Sequence, residues 1–201
     1  MANRKLIGSR IAIDNSIINW KAGQGLDASI QRHPKKRQDY WAIENLFELQ
    51  EKARVILVAV DQLDRESRKT PHKGKRNKLI ETVELCKEKY YLTRFKALTQ
   101  SRRASWSDEE PGINLKEGAR WVTEGDMRKI REYIAFGFTS EEKVDLEVLA
   151  TVAIAGVNIF VTVDYRLLGN NRIKEFAKQK DGIGIYSPSQ LVERLCLDGT
   201  G

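Results

Sequence analysis

Arg54-Val-Ile-Leu-Val-Ala-Val60 is a short apolar run, rich in β-branched residues, with no polar alternation along it. A strand with one wet face alternates apolar and polar residues. A continuous run is buried on both faces, as in a central strand of a parallel sheet. Just upstream, Tyr40, Ile43 and Phe47 recur at helical spacing with Leu46 and Leu49 beside them, so this segment reads as a packed helix. Further upstream, Arg10-Ile-Ala-Ile-Asp14 is a second buried strand, and Ser16 to Trp20 starts a helix. Gly23, Gln24 and Gly25 break that helix, and the basic stretch Arg32-His-Pro-Lys-Lys-Arg37 is an exposed loop. Residues 1–60 therefore read β-α-α-β.

Downstream, the charged stretch Asp61 to Lys69 starts a helix at the strand's end, and residues 70–78 form a basic loop. A helix follows with Leu79, Val83, Cys86 and Tyr90 on one face, then a turn-rich stretch from Ser101 to Gly118. Residues 126–136 read as a short helix with Met127, Ile130 and Ile134 inward. Thr139 and Glu142 have the form of a capping box opening a helix to about Ala155, with Gly156 as its C′ residue. Val157-Asn-Ile-Phe-Val-Thr-Val163 is the next strand. A helix over 172–180, a strand at 184–186 and a helix from Ser187-Pro188 complete the chain. The alternation predicts an α/β fold: a mostly parallel sheet in three layers, helices on both faces.

The length of 201 residues suits one domain with its own core. Charged residues at 31% and hydrophobic ones at 41% exclude a disordered chain. The net charge of +7 suits a polyanionic partner, because Lys and Arg neutralise phosphates and release counterions. Cys86 and Cys196 lack CxxC spacing and a nearby His, which argues against zinc and fits a reducing, cytoplasmic setting. No apolar signal region follows Met1, and the apolar stretch Val148 to Val163 is too short and interrupted to span a membrane.

Asp14, Asp61 and Asp164 each stand at the carboxyl end of a strand. Each alone is explained as a turn or N-cap residue. Together they fall on the edge of a parallel sheet where ligand sites form. Asp145, in the first turn of the 140–155 helix, can point to the same edge. Clustered carboxylates repel unless a cation removes the penalty, and all-oxygen ligation points to Mg²⁺ or Mn²⁺. A nucleotide-binding reading lacks a Gly-rich loop after the first strand.

Ile13-Asp14-Asn15-Ser16, Val144-Asp145-Leu-Glu-Val-Leu-Ala150, Val161-Thr-Val-Asp164-Tyr-Arg-Leu-Leu168 and Gly182-Ile-Gly-Ile-Tyr-Ser-Pro-Ser-Gln-Leu191 together resemble, in order and spacing, the motifs of the PIN-domain nucleases. The resemblance covers about 10–66 and 139–195, leaving about 69–138 as a helical, basic insertion in a single domain of 1–201. It implies a metal-dependent endoribonuclease with Asp14, Asp145 and Asp164 on the metal, supported by Ser16 and Thr162. Two departures stand out. Gln62 occupies the place of the family's second acid, leaving Asp61 or Glu66 to substitute. Arg166 stands where many relatives carry another Asp. The departures leave open a catalytically impaired module that binds RNA or protein, and the fold leaves open a flap-type DNA nuclease. Arg68, Lys69, Lys73, Lys75 and Arg76, with Arg102, Arg103, Tyr90, Tyr91, Trp106 and Trp121, are candidates for a basic and aromatic surface for single-stranded or structured RNA, the alternative being ordinary packing and a solvated basic face. PIN proteins include toxins, so a second copy or an antitoxin is a further partner that the resemblance allows.

Overall fold

In the computed structural model, which describes residues 8–24, 32–60, 71–93 and 119–198, β1 (Ser9–Ile13) runs through the middle of a six-stranded sheet. β2 (Val55–Val60) pairs with it on one side and β5 (Ile159–Val161) on the other. β3 (Glu88–Thr93) and β4 (Ala119–Trp121) extend the β2 side, and β6 (Gly184–Tyr186) closes the other. The order is β4-β3-β2-β1-β5-β6 with every pairing parallel. The expected two-sided burial holds: Ile11, Ala12, Ile13, Leu57, Val58 and Ala59 are fully buried.

One helical layer comprises α1 (Asn15–Asn19), α2 (Pro34–Glu51), α3 (Lys73–Glu84) and the last helix, α8 (Pro188–Asp198). In it α1 packs on α3, and α8 on α2. The other comprises α4 (Glu124–Phe136), α5 (Ser140–Ile154) and α7 (Asn171–Asp181), with α5 packed against both α4 and α7. Right-handed crossovers account for this division. The chain steps outward from β1 through β2 to β3 along one face, then crosses to β5 and β6 along the other.

The ends of α5 follow the sequence pattern. The Thr139 hydroxyl accepts from Glu142 N–H at 3.1 Å, and the Glu142 carboxylate accepts from Phe138 N–H at 2.8 Å. At the far end Gly156 adopts φ +68°, and Val157 N–H and Gly156 N–H return to the carbonyls of Val152 and Ala153. That is a Schellman closure, which needs the left-handed residue glycine supplies. It holds Val157 to the helix, so β5 starts later than the expected Val157.

Four other expectations change. The basic stretch Arg32 to Arg37, expected as an exposed loop, is helical from Pro34, where α2 starts. The expected basic loop at 70–78 is helical from Lys73, the start of α3. Tyr90 does not continue the helical face of Leu79, Val83 and Cys86, because α3 stops at Glu84 and Tyr90 lies in β3. The segment 69–138 is therefore more than a helical insertion, since it supplies β3 and β4. Asp61, Gln62, Glu66, Arg68 and Lys69 lie outside the described residues, as do the turn-rich stretch 101–118 and the expected helix start at 61–69. Cys86 and Cys196 are free thiols, and burial pushes Cys86 up to about 12. Among the described residues no helix is long and apolar enough to cross a membrane.

Candidate functional site

Asp14 leaves the end of β1 as the N-cap of α1, its Oδ1 accepting from Asn15 N–H at 2.8 Å. Its Oδ2 accepts from two hydroxyls, Ser16 Oγ at 2.6 Å and Thr162 Oγ1 at 2.7 Å. Each hydroxyl also accepts from backbone. Ser16 Oγ takes Val163 N–H at 3.2 Å, and Thr162 Oγ1 takes Asp164 N–H at 2.9 Å. The carboxylate at the end of β1 is thereby tied to the loop carrying Asp164. Thr162 is fully buried, so its hydroxyl cannot turn to water instead.

Asp164 caps the next helix, α6 (Tyr165–Gly169), accepting from Arg166 N–H at 2.8 Å and Leu167 N–H at 3.3 Å. The following residue anchors the turn in the core. Tyr165 donates at 2.7 Å to Asp39, a fully buried carboxylate on α2 that also accepts from Ser189 N–H at 3.0 Å. Burial, then this hydrogen bond, raises the Tyr165 pKa, so the phenol stays a donor. Asp39 escaped sequence reading because an acid on a helix has no pattern that marks it as buried.

Asp145 lies in the second turn of α5, not the first. Glu141 and Glu142 occupy the first turn, where the helix dipole favours anions. Only 18% of the Asp145 side chain is exposed. Burial pushes its carboxyl up to about 6, with Arg166 working against the rise and Asp164, Asp14 and Glu141 adding to it. Carboxylates from three elements therefore share one field at the carboxyl edge of the sheet. Glu141 joins them, one helical turn before Asp145, as an acid the sequence reading passed over.

Arg166 is the cation among them. One guanidinium nitrogen pairs with Glu141, and another donates to Asp145 at 3.0 Å and to Asp164 at 3.3 Å. An open cavity of about 430 Å³ is lined by Glu141, Val144, Asp145, Asp164 and Arg166. The donors are all oxygens, which fits a hard divalent cation. They do not close around one point: among the described residues no group of three His, Cys, Asp or Glu is placed to hold a metal ion. The donor chemistry of Asp14, Asp145 and Asp164 thus fits Mg²⁺ or Mn²⁺, with Arg166 supplying the positive charge in this arrangement.

Lys73 and Lys75 are exposed and Arg76 half-buried on the first turns of α3. In chain order that helix lies between β2 and β3, two parallel strands, and its first turn carries no acid. No protein-family model matches the chain, and no curated protein matches it.

Proposed function

We propose that the chain is a PIN-like, metal-dependent endoribonuclease acting in the cytoplasm. The observation that carries this reading is that Asp14 and Asp164 act electrostatically on Asp145, three acids from three elements, with Asp14 held by Ser16 and Thr162. Asp14, Asp145 and Asp164 would hold Mg²⁺ or Mn²⁺, with Asp61 or Glu66 as further acids. Such a cation supplies charge neutralisation and activation of water for in-line attack on phosphorus. The chain's own contribution is orientation: the two hydroxyls fix the Asp14 carboxylate, and the Tyr165–Asp39 bond fixes the turn bearing Asp164. Single-stranded or structured RNA is the substrate class that the net charge and the basic start of α3 support.

The test uses labelled single-stranded RNA, single-stranded DNA and duplexes with Mn²⁺, Mg²⁺ or EDTA. Cleavage of RNA that EDTA stops is expected. Asp14→Asn and Asp164→Asn should each lower it more than ~100-fold, beyond the usual cost of losing a supporting residue. Both variants should fold, because Asn is as good an N-cap as Asp. Full activity in Asp14→Asn would sink the site. A preference for DNA flaps would move the substrate class.

One observation favours a second reading. Arg166 bridges Asp145 and Asp164 where a cation would sit. A catalytically silent module that binds RNA or a protein partner such as an antitoxin would keep this arrangement. It predicts RNA binding without cleavage under every metal condition.

A further inference from the structure

Arg166 holds acids from two elements with one guanidinium. Glu141 and Asp145 lie one turn apart on α5, and Asp164 caps α6. Its side chain is 48% exposed and lies on the wall of the open cavity. Among the described residues every partner of that guanidinium is a carboxylate. The group is thus positioned by charge and is free to leave toward solvent if its charge is satisfied elsewhere. A divalent cation at Asp145 and Asp164 would repel it, and a phosphodiester would attract it in the bidentate geometry that arginine favours.

We propose that Arg166 is a built-in competitor of the divalent cation, released from Asp145 and Asp164 when a nucleic-acid phosphate takes its guanidinium. The proposal rests on the metal-site reading above. Metal and polyanion then bind with positive coupling, and the coupling is reciprocal, because each strengthens the other by the same factor. The free protein holds metal weakly, and the site fills when substrate arrives.

The experiment is calorimetric titration of Mn²⁺ into the full chain, with and without a cleavage-resistant single-stranded phosphorothioate oligonucleotide. Wild type, Arg166→Gln, Arg166→Lys and Asp14→Asn are compared. Arg166→Gln should bind Mn²⁺ roughly five- to tenfold tighter than wild type, the range of a partly exposed ion-pair set. Arg166→Lys, which keeps the charge and loses the fork, should fall between. The oligonucleotide should tighten Mn²⁺ binding in wild type and not in Arg166→Gln. Equal or weaker Mn²⁺ affinity in Arg166→Gln overturns the proposal while leaving the metal site standing. Binding that is the same in all four proteins, Asp14→Asn included, overturns the metal site and the proposal with it. Melting curves guard against a merely structural salt bridge. That role predicts the same loss of melting temperature in EDTA and in Mn²⁺, whereas competition predicts a loss in EDTA that Mn²⁺ reverses.

Discussion

Asp145 shows how a carboxylate set among other acids carries a cost to the fold. Its carboxyl moves from its ordinary 3.8 to about 6, first because it is buried. Between those two values the folded chain holds a proton that the unfolded chain has released, so stability falls as pH rises through that window. The expected loss is on the order of 1–3 kcal/mol. Asp145→Asn removes the titration. In EDTA it should melt with wild type at pH 4 and above it at pH 7, by ~2–4 °C for each kcal/mol relieved. Calorimetric melts at the two pH values check this. A lower melting point for Asp145→Asn at pH 7 would show that the pairing with Arg166 outweighs the burial.

At the scale of the element, α3 and β3 show how a side chain far away in sequence ends a helix. Leu79, Val83, Cys86 and Tyr90 share a helical face on spacing alone. The chain departs from that pattern at Leu85, whose carbonyl accepts from Gln50 Nε2 at 2.9 Å. Gln50 Oε1 accepts from Lys87 N–H and Leu57 N–H, both at 3.0 Å. Gln50 is 3% exposed, and its amide sits between β2 and the segment that leads into β3, which begins to pair at Val58. Gln50→Leu keeps the volume and strands these backbone groups. It should lower unfolding free energy by ~2–3 kcal/mol in denaturant titration, with the midpoint moving and the slope unchanged. A change below 0.5 kcal/mol, the range of ordinary surface substitutions at roughly ±0.5, would mean water replaces the amide.

Across the whole molecule, acids gather around Arg166 and bases gather at the start of α3. α3 opens with Lys73, Lys75 and Arg76 and no acid in its first turn, so its side chains add to the positive end of its dipole. A helix start of that composition repels local cations and suits phosphate. If these residues track a backbone, changing all three to Gln in an Asp164→Asn background should weaken RNA binding. It should also reduce the slope of log affinity against log salt by roughly 0.7 per lost contact, about 2 in total. Metal affinity measured alongside in the Asp164-intact chain should hold. An unchanged salt slope would remove the α3 start from the RNA-binding surface.

The sequence by itself determined the layered α/β plan. Unbroken β-branched runs such as Val55–Val60 have no polar face to leave in water, and the signals at both ends of α5, Thr139 with Glu142 and Gly156, are local chemistry. It also placed Asp14 and Asp164 at strand ends, since a carboxylate following a buried run has only the sheet edge to go to. Long-range contact decided the rest. β3, which opens on Glu88 and Lys89, and the three-residue β4 exist as strands through pairing with β2 and with each other, a partner no local pattern names. The two hydroxyls on Asp14 and the three acids on Arg166 meet across sequence separations as large as 148 and 25 residues. Side-chain type states which charges a chain carries, whereas which charges neutralise one another depends on distance, and only the folded chain sets distance.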